Sequence, residues 1–202
     1  AGIISVKQAL FFMAMLSTLG LIILVQFNNF AIAVGAVSIL LVAVYPFSKR
    51  FTYWPQFILG LTFNWGALLG WAAVRGEIQI PAILLYIAGI FWTLGYDTIY
   101  ALQDKVDDAI IGIKSTTLAL GERTRAWLYI FYSFAIFFMG LSGWFLELSW
   151  PFYVGLCCAA VQAIWQIKKL IMTSPNDCLA KFRSNRLFSW FFLSGIIASQ
   201  LL

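Results

Sequence analysis

Five of the chain's eight acidic residues crowd into one stretch: Asp97, Asp104, Asp107, Asp108 and Glu122. On a continuous helix at 100° per residue, Tyr100 lies at about −60° from Asp97, Asp104 at about −20° and Asp108 at about +20°. These four share a stripe, and Asp107, at about −80°, sits on its edge. Asp104 and Asp108 are then one turn apart, about 6 Å along the axis. Like charges at that spacing repel unless a cation sits between them. Ligands that are all oxygen imply a hard cation, and Mg²⁺, held by one or two carboxylates with substrate phosphates and water, fits best. Asp97 is the costliest member. It follows Phe91-Trp92-Thr93-Leu94-Gly95-Tyr96 inside an apolar run, and an ionisable group at that depth marks a polar cavity. Asp107 taken alone is equally well a solvated helix flank.

Two basic segments are candidates to face these acids. Tyr45-Pro46-Phe47-Ser48-Lys49-Arg50 closes the second apolar run. Lys49 and Arg50 either snorkel to the membrane surface or, in the case of Lys49, neutralise phosphate oxygens opposite the aspartates. Tyr45 is one turn from Lys49, so the same cavity is open to its hydroxyl. Gly112-Ile113-Lys114-Ser115-Thr116-Thr117 reads as a tight loop entering a helix at Ser115 or Thr116, and a helix start beside Lys114 suits an anion. It is no P-loop.

The elements that must position these residues are membrane helices. The chain has 202 residues, 62% hydrophobic and 10% charged, against roughly 25% charged in a soluble domain. Seven apolar stretches match the roughly 20 residues a spanning helix needs: 7–26, 30–47, 56–74, 81–102, 125–143, 150–168 and 186–202. Hydrocarbon offers the backbone no partner, so the fold class is all-α, one polytopic transmembrane helical bundle over residues 1–202. The alternating pattern of a membrane barrel is absent.

Alternate loops divide the thirteen Lys and Arg residues twelve to one, with Arg75 alone on the second side. The basic side, which carries the acidic stripe, is therefore cytoplasmic, or the matrix side in a mitochondrion. The net charge of +5 reflects this bias and is no argument for nucleic acid. The chain has no histidine, which removes imidazole acid–base chemistry and most transition-metal sites. Cys157, Cys158 and Cys178 form neither a disulfide framework nor a zinc pattern.

Asp97-x-x-Tyr100-Ala101-x-x-Asp104-x-x-x-Asp108 resembles the second aspartate-rich motif of the UbiA superfamily of intramembrane prenyltransferases, and Tyr45-x-x-x-Lys49 resembles its tyrosine–lysine element. Gly112-Ile113-Lys114-Ser115-Thr116, Tyr45-Pro46 with Lys49-Arg50, and Tyr96-Asp97-Thr98 are similar to the branch that prenylates 4-hydroxybenzoate for ubiquinone biosynthesis. The resemblance implies a nine-helix fold with two aspartate-rich motifs. The first motif has no match here. Ala1-Gly2 aligns with small residues shortly after it, so the seven spans correspond to the family's third to ninth helices.

The resemblance further implies Mg²⁺-dependent transfer of a polyprenyl group from polyprenyl diphosphate to the ring carbon ortho to the hydroxyl of 4-hydroxybenzoate. It makes Asp104 and Asp108 metal ligands, with Asp97 a third ligand or their partner. Tyr100 then orients a carboxylate, Lys49 and Lys114 contact the diphosphate, Arg50 is a further substrate-binding residue, and Tyr45 lines the cavity. A bacterial inner membrane is the expected location, with a mitochondrial inner membrane as the alternative. Two other functions stay open: a catalytically incomplete membrane fragment, and a transporter with Asp97 in a cation path.

Overall fold

A computed structural model describes residues 4–201. Ala1-Gly2 and Leu202, where the last expected span ends, lie outside the described residues. Among the described residues every regular element is helical. The chain forms α1 (Val6–Leu24), α2 (Asn29–Val44), a 3₁₀ turn (Tyr45–Phe47), α3 (Ser48–Phe51), α4 (Pro55–Phe63), α5 (Trp65–Arg75) and α6 (Ile80–Ala101). Then come α7 (Lys105–Ile111), α8 (Thr116–Leu120), α9 (Thr124–Phe145), α10 (Trp150–Lys169) and α11 (Pro175–Gln200).

Local chemistry sets these boundaries. Ser5 caps α1 in a reciprocal capping box with Gln8, which satisfies two otherwise orphaned amides. Pro55, Pro81, Pro151 and Pro175 sit in the first turns of α4, α6, α10 and α11, where a missing N–H costs nothing. Pro46 instead tightens the end of α2 into the 3₁₀ turn. The third expected span is broken at Asn64, whose amide donates to the Gly60 carbonyl at 2.8 Å and to Thr93 Oγ1 at 2.8 Å. A side chain that takes over a ladder carbonyl breaks the helix there.

Among the described residues six segments are long and apolar enough to cross a membrane, ending with Trp150–Lys169. The seventh expected span, 186–202, is the far part of the longer α11. Its near half carries Asp177, Lys181, Arg183 and Arg186, and these keep it below the apolar character of the other six. It still runs antiparallel along α10. The polar side chains Ser184 and Asn185 face Gln162 and Gln166 of α10 and Tyr132 of α9.

α6 is central and packs on α4, α5, α9 and α11. The main core joins Ile99 of α6, Leu128 and Tyr132 of α9, Phe152 and Ile167 of α10, and Phe188 of α11. α1 buries nothing and leans on α2, with its side chains exposed. The closest approach is between α10 and α11. A Cβ on Gly155 would lie 2.5 Å from the Phe191 carbonyl oxygen and 2.8 Å from Gly195 Cα. Such a crossing exists because small residues let two backbones touch where no water can drive them together.

Gly155→Leu is expected to lose folded protein and lower Tm by several degrees, because overpacking costs about 1–3 kcal/mol. Gly70→Leu, whose Cβ meets nothing within 4 Å, should be neutral. Thermal denaturation in detergent checks both, and equal effects at the two glycines would refute the close-crossing account.

Candidate active site

The acidic stripe does not lie on one helix. α6 ends at Ala101, Leu102 caps it, and α7 begins only at Lys105. Asp97 therefore belongs to α6, Asp104 to the turn and Asp108 to α7, so the 100° spacing holds no further than Ala101. The break follows from the acids themselves. Asp is a poor interior helix residue, whereas Asp104 immediately before α7 and Asp107 and Asp108 in its first turn meet the positive helix end. Among the described residues no three carboxylates stand close enough to hold a metal by themselves.

The basic segment is brought to the acids by a clasp of hydrogen bonds. Gly112, at φ +75°, ends α7 in the left-handed region, where a side chain is strained. The chain then turns back along α3, and the Lys114 amide donates to the Lys49 carbonyl at 3.1 Å. Thr116 starts α8 and donates to Gln56 Oε1 twice, from its amide at 3.2 Å and its hydroxyl at 2.6 Å. Both Gln56 and Thr116 are buried. The outcome is that Lys49 Nζ stands 3.9 Å from Asp108 Oδ2, two residues far apart in sequence.

Asp108 is 6% exposed, and its Oδ2 has no hydrogen-bond partner. Burial pushes its carboxyl above the usual carboxylate range. Lys49 draws it back, and Asp104 and Asp107 push it further up. Asp97 is half-buried and lies within Coulombic range of Lys49, Tyr45 and Tyr96. Asp97, Lys49, Tyr45 and Asp108 thus gather at the basic end of the bundle.

Other expected site residues are engaged elsewhere. The Lys114 ammonium donates to the Phe51 carbonyl at 3.2 Å and lies 5.3 Å from the Tyr53 ring centroid. Arg50 stands 5.8 Å from the Phe47 ring centroid. The Tyr100 ring packs on Phe182 of α11 at 4.9 Å.

The sequence reading missed a second polar cluster. Asn185 Oδ1 accepts from Tyr132 at 2.7 Å, Trp92 at 3.3 Å and Gln166 at 3.4 Å. Gln162 and Ser184 extend it. The signal was present, since Gln162 and Gln166 are one turn apart in an apolar run and Asn185 heads another, and polar residues inside membrane helices are functional or structural by default. Cys178 sits inside α11, fully buried.

A carboxyl whose folded pKa lies above its unfolded one is favourable only when protonated. Its contribution is present in acid and lost as pH rises through the folded pKa. In chelator at pH 7, Asp108→Asn is therefore expected to raise Tm by about 2–4 °C, the shift for roughly 1 kcal/mol. The gain should shrink as pH falls through the raised folded pKa and the wild-type carboxyl takes up its own proton. Thermal denaturation across that pH range checks it, and a lower Tm at pH 7 would mean that the Lys49 pairing outweighs burial.

Comparison with known proteins gives a consistent result. The model of the "UbiA prenyltransferase family" matches residues 1–196. The mitochondrial 4-hydroxybenzoate polyprenyltransferase of Arabidopsis thaliana is 48% identical over 201 residues, 99% of this chain and 49% of its own length. The protein of the same name from Caenorhabditis elegans is 47% identical over all of this chain and 57% of its own length. The chain thus spans about half the length of the curated relatives it matches. In fold it is similar to the apo structure of a UbiA homologue from Aeropyrum pernix K1, with TM-score 0.82 and 21% identity, covering all of this chain and 75% of that one.

Proposed function

The chain belongs to the UbiA prenyltransferase family, and on that premise we propose that the protein carrying it transfers a polyprenyl group from polyprenyl diphosphate to 4-hydroxybenzoate, as a step of ubiquinone biosynthesis. The observation that carries this proposal is the meeting of Lys49 with Asp108 beside Asp97, at one end of a bundle otherwise built for hydrocarbon. The names of the relatives support the choice of acceptor and donor.

The residues fit a divalent cation of the hard, oxygen-bound class. Asp108 Oδ2 is a buried acceptor with no hydrogen bond, so its lone pairs are free for a ligand. The described carboxylates do not make a closed metal cage, which suits Mg²⁺, an ion that fills its shell with substrate phosphates and water. Asp104 and Asp108 would hold it, with Asp97 beside them as their partner. When bound, the ion supplies neutralisation of the leaving diphosphate.

The chain's own groups do the rest. Lys49, 46% exposed at its side chain, presents its ammonium to phosphate oxygens. Arg50 and Lys114 support that end with charge, and the clasp to Gln56 keeps their backbone in place. Tyr45 lines the cavity beside Asp97. The apolar bundle receives the isoprenoid tail and keeps water from the allylic cation. The allylic C–O bond breaks with its electron pair going to the diphosphate, a C–C bond forms ortho to the phenol hydroxyl, and the ring releases one proton.

The membrane we assign is mitochondrial, with the basic side to the matrix, in place of the bacterial inner membrane first expected. The names of the relatives support this.

The test is prenyl transfer to 4-hydroxybenzoate in membranes containing the full-length protein. Asp97→Asn and Asp108→Asn are each expected to lower turnover by about 10²–10³, the usual loss when charge stabilisation at the reacting centre is removed. Chelator should abolish transfer and Mg²⁺ restore it. Lys49→Ala should raise KM for the diphosphate substrate. Full turnover in Asp108→Asn would remove that residue from the reaction.

A further inference from the structure

A groove of about 510 Å³ runs between α10 and α11, outside the site already described. Its walls include Cys157, Val161 and Trp165 of α10 and Leu187 and Phe191 of α11. These side chains are exposed, so the groove faces lipid, and its volume falls in the usual range for a small-molecule site. We propose that it seats one anionic phospholipid, with an acyl chain along the groove and the headgroup phosphate held by Lys168, Lys169 and Lys181. The site is independent of the prenyl-transfer reading.

Three observations carry it. The first is the length of the groove. Cys157, Val161 and Trp165 recur every four residues and form one stripe of α10, and Lys168 and Lys169 continue that stripe to the helix end. From Lys169 to Cys157 the helix axis measures about 18 Å. Half of a hydrocarbon core is about 15 Å. The groove therefore spans one leaflet, which is the reach of one acyl chain. A spanning helix from a second copy of the chain would need a groove that crosses the whole membrane.

The second is charge. Among the described residues the only ion pairs are Lys49–Asp108 and Lys181–Asp177, so Lys168 and Lys169 have no acidic partner there. Asp177 is engaged twice, accepting from Lys181 at 3.0 Å and from the Ile171 amide at 2.7 Å. The three lysines therefore leave this end of the groove positive. An anionic headgroup gains from each of them, and a zwitterionic one gains little.

The third is the ring at the junction. Trp165 lies one turn from Lys169, and the Lys181 ammonium stands 5.1 Å from its ring centroid. That contact ties the charged end of the groove to its apolar wall. Tryptophan favours the headgroup boundary of a bilayer, and here that boundary coincides with the mouth of a cavity. Lysines that only mark the basic side of a membrane helix need no cavity beneath them.

The experiment titrates the full-length protein, in neutral detergent, with phosphatidylglycerol or phosphatidylcholine and reads bound lipid by native mass spectrometry. The wild type is expected to hold one phosphatidylglycerol at least about tenfold more tightly than phosphatidylcholine, the scale of several basic residues at an anionic headgroup. Lys168→Gln with Lys169→Gln should erase that preference and leave the lipid-free Tm unchanged. Lys7→Gln with Lys105→Gln, at lysines outside the groove, should keep it. Val161→Trp, which fills the groove and changes no charge, should lose the tight lipid. Phosphatidylglycerol with a photoreactive acyl chain should label α10 and α11 around Val161 and Leu187. Equal affinity for the two lipids overturns the proposal, as does a preference that survives the Lys168–Lys169 change or falls equally in the Lys7–Lys105 variant. Unchanged binding in Val161→Trp, or labelling elsewhere in the bundle, also overturns it. So does a cross-link between two copies through Cys157, which would give the groove to a second chain. If the Lys168–Lys169 variant does not accumulate, Val161→Trp and the labelling pattern decide in the same way.

Discussion

A single carbonyl oxygen, Asn185 Oδ1, is where four helices of this bundle meet. It accepts from Trp92 of α6, Tyr132 of α9 and Gln166 of α10. The asparagine's own amide is used within α11, on the Lys181 and Phe182 carbonyls. In a hydrocarbon surround each of those donors left alone would cost several kcal/mol. Helix association in a membrane gains nothing from excluding lipid, so close packing and internal hydrogen bonds must supply it. The Gly155–Gly195 contact supplies the first and Asn185 the second, on the same pair of helices. This fixes α11 against α6 and so decides which faces of α6 stay open.

Those open faces carry the chemistry. α6 stops at Ala101, and the acids that follow fold into a turn and a short helix instead of extending the span. That break lets Asp108 swing towards α3, where the clasp between Gln56 and Thr116 holds the Lys49 backbone. The resulting Lys49–Asp108 pair is long, at 3.9 Å, and leaves Asp108 Oδ2 without a hydrogen bond. A buried carboxylate in that condition is costly to the fold.

The division of polar groups between the two ends of the bundle separates a one-sided site from a path. Asp97, Asp108, Lys49, Arg183 and Arg186 all belong to the basic end. Beyond them α6 and α9 continue in stacked rings, with Phe91 on Phe134 at 5.0 Å and on Phe138 at 6.0 Å. A cation path needs polar groups along its length. Polar groups gathered at one end suit a site that opens to one side instead.

The amino-acid sequence alone determined the class of the protein, an all-helical polytopic membrane bundle, and led to the expectation of one basic side. Hydrophobic length and the distribution of Lys and Arg are one-dimensional properties that a bilayer reads directly. It also singled out the acids, Asp97 above all, since a carboxylate inside an apolar run is costly. It did not decide their geometry. A helical wheel assumes an unbroken helix, and the turn at Leu102–Asp104 depends on what α7 and α8 meet on α3. The seventh helix was read too short for a related reason: the polar half of α11 is tolerable in a membrane protein only because Gln162, Gln166 and Tyr132 wait for it on other helices. Tertiary structure alone decided these pairings, because hydrogen bonds and cavities join residues by distance in space, and sequence separation carries no such distance.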